Sequence, residues 1–121
     1  MVAAQAALLE GPRPPNVFTR ADIHGDTVLD ADVVVVGSGA GGATIAAELA
    51  EAGFEVVVLE EGSYYQIRDF TADTSAMVRQ LYRDGGATMA IGSPPILYQE
   101  GRAVGGSTVI NGGMSWRTPD K

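Results

Sequence analysis

The sequence predicts an α/β fold: a strand–helix–strand unit followed by a β-hairpin. Three observations predict it. First, two short apolar runs rich in β-branched residues stand at Asp32 to Val36, with four consecutive valines, and at Glu55 to Leu59. Second, between them small and apolar residues recur at Ala43, Ala46, Ala47, Leu49 and Ala50, interleaved with Glu48 and Glu51. Third, two further runs, Ala87 to Ile91 and Ile96 to Glu100, flank Gly92-Ser93-Pro94-Pro95.

Each element has its own reason. A short, wholly apolar, β-branched run reads as a strand buried on both faces, as in a parallel sheet. The spacing of apolar residues after Gly42 is helical, Gly39 to Gly42 forms the turn before it, and Gly53 stands where a C′ glycine ends a helix. Strand, helix and strand within about 30 residues make a βαβ unit. Upstream, Met1 to Leu9 reads as a short helix, stopped by Gly11, Pro12, Pro14 and Pro15. Arg20 to Asp30 reads as a loop or an edge strand turning at Gly25-Asp26. Downstream, Ser63 to Thr74 reads as a loop, and Ser75 to Arg83 as one or two helical turns broken at Gly85-Gly86. The two runs around Gly92 to Pro95 read as a hairpin. Gly101 to Gly106 is a second glycine-rich turn, after which Ser107 is expected to cap a helix starting at Thr108 and Val109. Residues 1–31 are therefore an N-terminal extension and 32–121 the folded part.

Composition narrows the functional classes. A chain of 121 residues with 45% hydrophobic residues has the size and core of one small domain. It holds 16 glycines, well above the average usage of about 7%, which signals tight turns and close backbone approaches. A net charge of −7 repels a phosphate backbone and argues against nucleic-acid binding. With no cysteine, a disulfide scaffold, a thiolate metal site and a cysteine nucleophile are excluded. No stretch approaches the roughly 18 apolar residues of a membrane span, and Met1 to Glu10 lacks a basic start, so cytoplasm is the default location. His24 is the only histidine and reads as a loop residue ahead of the first strand.

Gly37-Ser38-Gly39-Ala40-Gly41-Gly42 matches GxGxxG. The pattern gains weight because it leaves a predicted strand and opens a predicted helix. Gly37 permits the tight turn, Gly39 lets a pyrophosphate approach the backbone, and Gly42 lets the helix pack on the strand. The helix start then faces the phosphates with free N–H groups and its positive dipole end. Glu60 closes the second strand, about 20 residues beyond the glycines, where a carboxylate accepts the hydroxyls of an adenosine ribose. Its charge disfavours a 2′-phosphate. Glu61 is the alternative acid, pointing to the opposite face. The plainer possibility is a glycine turn with no ligand.

The segment Gly101-Arg102-Ala103-Val104-Gly105-Gly106-Ser107-Thr108-Val109-Ile110-Asn111-Gly112-Gly113 distinguishes between dinucleotides. Together with Leu59-Glu60-Glu61-Gly62 and the first glycine motif, it resembles the glucose–methanol–choline (GMC) oxidoreductase family. Those proteins carry an LExG-like strand end and a GRxxGGSSxxN-like segment, with Thr108 here in the second serine place. The resemblance covers about Asp32 to Pro119, and Arg117-Thr118-Pro119 is similar to the long-chain alcohol oxidase branch. It implies a Rossmann-like FAD-binding unit. Gly105, Gly106 and Ser107 would bring backbone against the flavin side of FAD, and Asn111 would lie near its ring or ribityl chain, able to donate and accept. A second glycine turn also forms an anion-accepting nest. Arg102 would reach a phosphate or stay a surface residue. Gly112 and Gly113, with Met114 beside them, would leave volume over the ring or merely permit a turn. Some relatives bind the flavin covalently through a histidine at the position of Ile110. Isoleucine cannot, so FAD is expected to be held non-covalently.

The resemblance also implies what this chain does not supply. The catalytic histidine of the family lies near the C-terminus of a much longer chain, so no catalytic residue is assigned here. A lone βαβ with a hairpin leaves strand edges and an apolar sheet face bare. A second polypeptide is therefore expected to complete the FAD and substrate domains, this chain being an N-terminal fragment or a small subunit. The expected activity is oxidation of an alcohol by hydride transfer to flavin N5. Alternatives are a fragment of an NAD-dependent dehydrogenase, a flavin-containing lyase on the same scaffold and a non-catalytic interaction module. Trp116, Tyr64, Tyr65, Tyr82 and Tyr98 are irregularly spaced and read as core or interface residues.

Overall fold

The computed structural model describes residues 12–117 and 119, so the helix expected at Met1 to Leu9 lies outside the described residues. Strand β1 spans Val33–Val36, helix α1 Ala40–Glu51 and strand β2 Val56–Leu59. The strands pair in parallel, Val33 opposite Val56 through Val36 opposite Leu59. Parallel neighbours need a crossover, and α1 is that crossover. Asp32 anchors the start of the sheet: its carboxylate accepts from Glu55 N–H at 2.8 Å, while its own N–H donates to Glu55 O at 2.9 Å. Helix α1 ends at Ala52, and Gly53 follows at φ +94°.

The valine strands were expected to be buried on both faces. On β1 only one face is covered, while on β2 Val56 and Val57 are partly buried and Val58 and Leu59 exposed. Val33 and Val35 are partly buried on the α1 side, whereas Val34 and Val36 are 55% and 83% exposed. The reason is topological: among the described residues no element packs over Val34 and Val36.

Beyond β2 the chain makes a 3-10 turn at Ile67–Asp69, then helix α2 at Thr74–Leu81. Asp73 caps α2 by accepting from Ala76 N–H at 3.0 Å, a bond that satisfies one orphan donor of the first turn. Leu81 at its far end is buried. The expected hairpin is present but short: β3 at Met89–Ala90 pairs antiparallel with β4 at Ile96–Leu97. Thr88 ties it off, its hydroxyl donating to Tyr98 O at 2.6 Å.

Residues 20–30 hold no strand. They carry a 3-10 turn at Arg20–Asp22, where the Asp22 carboxylate accepts from Thr19 N–H and from both terminal nitrogens of Arg13 at 2.7 and 2.9 Å. Those bonds, the Arg13 ones first, hold the Asp22 carboxyl well below the usual carboxylate range. His24 sits in the exposed loop that follows. Tyr65 packs against Phe70 with ring centroids 6.5 Å apart, while Trp116 is exposed.

Candidate nucleotide-binding site

The site begins where β1 ends. Gly37 leaves the strand at φ +89°, a left-handed conformation that a side chain makes costly. Its N–H donates to Leu59 O at 2.7 Å, so the turn stays attached to the sheet. Gly39 is the N-cap of α1 and supplies no side-chain cap. The first-turn N–H groups of Ala40, Gly41 and Gly42 therefore have no acceptor within the helix and sit at its positive end.

The two flanking glycines are needed for different reasons. A β-carbon on Gly39 would meet nothing within 4 Å, so the space in front of it is open. A β-carbon on Gly42 would overlap the carbonyl oxygen of Gly37 and reach Val35 Cγ1 at 3.3 Å. Gly42 is thus fixed by strand–helix packing and Gly39 by access.

Glu60 follows β2 and turns back onto this loop. Its Oε2 accepts from Ser38 N–H at 2.8 Å and from the Ser38 hydroxyl at 2.6 Å, and its Oε1 accepts from Gly62 N–H at 2.7 Å. Burial pushes the Glu60 carboxyl up. The bonds from Ser38 and from the Gly62 and Glu61 backbone outweigh it, and the net displacement is below the usual range. Glu60 is therefore a fixed anion at neutral pH. Glu61 is engaged elsewhere: it pairs with Arg83 and lies 3.6 Å from Arg102 Nε. Arg83 also reaches Glu100 Oε2 at 2.7 Å.

The second glycine segment docks against the first. Ser63 and Ala103 form a parallel bridge, and Val104 N–H donates to Ser63 O at 3.0 Å. Ala103 is 2% exposed, and a β-carbon on Gly62 would collide with its backbone. Gly105 turns at φ +97°, and its N–H donates to Ser38 Oγ at 3.0 Å. A β-carbon on Gly106 would stand 3.0 Å from Gly39 Cα. A 3-10 turn then runs over Gly106–Val109.

Ser107 corrects an expectation. It lies inside this turn rather than capping it, because the left-handed Gly105 starts the turn two residues earlier. The Ser107 hydroxyl instead accepts from Gly101 N–H at 3.0 Å and closes the 101–107 loop on itself.

Together these elements line an open cleft of about 480 Å³ at the C-terminal ends of β1 and β2. Of the sequence-predicted residues, Gly37, Gly39, Glu60, Glu61, Gly106 and Ser107 line it. Ser38 and Gly105 form its backing through their mutual bond, and Ala40, Gly41 and Gly42 form the adjoining first turn of α1. Arg102, Asn111, Gly112, Gly113 and Met114 do not line it. Arg102 turns to Glu61. Asn111 closes a local turn, its side chain donating to Met114 O at 3.1 Å and accepting from Gly113 N–H at 2.7 Å. Arg83 and Glu100 line the cavity without having been singled out from sequence. Their only advance signal was opposite charge in segments of uncertain placement.

The donor set fits FAD at its nucleotide end. Open backbone at Gly39, unsatisfied amides at a helix start and an ionised Glu60 suit a diphosphate joined to a ribose. The cavity falls within the range of small-molecule sites, about 300–1,000 Å³. Among the described residues no cluster of three metal-liganding side chains occurs, and no helix is long and apolar enough to cross a membrane.

Comparisons with known proteins agree with the cofactor. An FAD binding domain family matches residues 32–79 and the GMC oxidoreductase family matches residues 78–121. An uncharacterized GMC-type oxidoreductase of Mycobacterium tuberculosis is 52% identical over 93 residues, which is 75% of this chain and 15% of that protein. A GMC-type oxidoreductase of Sinorhizobium fredii is 44% identical over 95 residues, 78% of this chain and 19% of its own length. A long-chain-alcohol oxidase of Arabidopsis thaliana is 43% identical over 98 residues, 79% of this chain and 13% of the oxidase. The chain thus spans less than a fifth of the length of these relatives. No solved structure matches it. The matched families and relatives show that this chain is similar to the N-terminal part of GMC oxidoreductases, and they support FAD as the cofactor.

Proposed function

We propose that this chain is the nucleotide-holding N-terminal part of a flavoprotein that oxidises an alcohol. One observation carries the reading: two glycine segments far apart in sequence meet around one cavity at the carboxyl ends of parallel strands, beside an ionised Glu60. Ligands of open α/β sheets bind at that end.

The chain's own groups have distinct roles. The amides of Ala40, Gly41 and Gly42 hold the diphosphate. Glu60 accepts from the adenosine ribose, and Gly105, Gly106 and Ser107 extend the wall toward the flavin. When bound, FAD would supply hydride-accepting redox chemistry at its N5; this chain's residues would hold its nucleotide end, and the base for the alcohol's hydroxyl proton would lie elsewhere in the assembly. Alcohol as the substrate class rests on the long-chain-alcohol oxidase relatives. A second polypeptide would complete the Rossmann-like sheet by pairing at its strand edges, cover the open side of Val34 and Val36, and supply the substrate domain.

The test is a titration of the chain with FAD and with ADP, followed by flavin fluorescence and by amide NMR shifts. Binding should move the amides of Gly39 to Gly42 and Gly106, and Glu60→Ala should weaken it about tenfold or more. Shifts confined to other residues, or no binding of either ligand, would refute the site.

A further inference from the structure

Ser38 stands between the two glycine segments. It is 7% exposed, and its hydroxyl touches both sides: Gly105 N–H donates to it at 3.0 Å, and it donates to Glu60 Oε2 at 2.6 Å. A hydroxyl has one proton and two lone pairs, so this pair of bonds sets its direction. The Ser38 N–H also reaches Glu60 Oε2, at 2.8 Å, but an amide cannot accept from Gly105. Only the hydroxyl joins the carboxylate to the second loop.

We propose that Ser38 is a positioning residue that aligns Glu60 for a ribose and locks the 101–107 loop against the fingerprint turn. The ribose part of this statement rests on the nucleotide reading above; the locking part does not. With Oε2 taken twice by Ser38 and Oε1 once by Gly62, the carboxylate cannot swivel, and its one remaining lone pair, on Oε1, is held in one orientation. An ionised acceptor shortens and strengthens the bond it receives, and a chain N–H to O–H to O⁻ polarises along its length. The loop's anchor at Gly105 is therefore strongest while Glu60 is ionised. Glu61, Glu100 and Arg83 line the same cavity, and Arg102 lies against Glu61. They set the background charge and are unchanged by substitution at Ser38.

The experiment uses the whole chain in wild-type, Ser38→Ala and Ser38→Thr forms. In the wild type, the Gly105 amide resonance should titrate with the Glu60 carboxyl, at a midpoint below the usual carboxylate range. In Ser38→Ala that response should vanish, Gly105 amide exchange should quicken about tenfold, and ADP binding should weaken about tenfold. Ser38→Thr, which keeps the hydroxyl, should restore the Gly105 response. A Gly105 response and exchange rate unchanged in Ser38→Ala would overturn the proposal. Should Ser38→Ala not fold, a wild-type Gly105 amide that ignores Glu60 titration overturns it equally. Absence of ADP binding in every form would defeat the nucleotide reading, while the Gly105 measurements would still decide the coupling.

Discussion

Adding one methyl group at Gly42 tests the packing that shapes the site. At Gly42 a new β-carbon would overlap Gly37 O and lie 3.1 Å from Gly37 C and 3.3 Å from Val35 Cγ1. Two of those atoms are backbone, fixed by the bond from Gly37 N–H to Leu59 O, so relief requires α1 to move away from β1. Such overpacking costs about 1–3 kcal/mol. Alanine in a helix gains up to about 1 kcal/mol over glycine, which offsets part of it. Gly41→Ala is the control. Its β-carbon meets nothing within 4 Å, and it sits in the same helical turn, so it gains the propensity without the clash. The difference between the two variants therefore isolates the steric cost. Urea denaturation followed by circular dichroism should find Gly41→Ala at least as stable as wild type. Gly42→Ala should fall below Gly41→Ala by about 1–3 kcal/mol. Equal stability of the two variants would show that α1 does not lie on Gly37 as described.

Three further outcomes are expected. Glu60→Gln replaces a charged acceptor with a neutral one and should lower stability by about 1 kcal/mol at neutral pH. The folded Glu60 carboxyl lies below its ordinary 4.5, so its contribution is complete above that pH and fades as pH falls through the folded value. Denaturation curves of wild type and Glu60→Gln should therefore converge in acid; a gap that widens there would contradict the bonding described. Gly62→Ala, whose methyl would strike the Ala103 backbone, should undock the second segment; limited proteolysis should cut between 101 and 107 faster than in wild type, and unchanged protection would disprove the docking. Arg83→Met removes partly exposed pairs with Glu61 and Glu100, so the loss of stability should be small and smaller still in high salt. A larger or salt-independent loss, measured by thermal melting, would mean that Arg83 does more than pair on the surface.

Much of the fold could be read in advance because its signals are local. Four consecutive valines, a helical run of alanines and a glycine at each end of that run depend only on neighbouring residues, and β1, α1 and β2 appear where those signals stand. Gly37, Gly39, Gly42 and Glu60 were legible for the same reason: a turn, an open approach, a packing contact and a strand end each have a fixed place in a βαβ unit. What neighbouring residues did not reveal was which of several available partners a polar side chain takes. The carboxylate of Glu60 was read as a ribose acceptor, and the bonds it makes to Ser38 and Gly62 carried no signal in the sequence. Ser107 looked like a cap and became a loop closure. Asn111 was read as lying near the flavin, and its bonds to its own turn were not foreseen.

By itself the sequence determined the kind of chain this is: parallel strands around a glycine-led helix, an acidic residue after the second strand, and a second glycine segment characteristic of GMC oxidoreductases. Only the tertiary structure decided that Gly105 and Gly106 rest on Ser38 and Gly39, and that Arg83 and Glu100 complete the cavity wall. The physical reason is range. Backbone preferences and hydrophobic periodicity act over a few residues and are written in order along the chain. Hydrogen bonds and backbone contacts between distant segments depend on where folding brings them, and no spacing in the sequence records that.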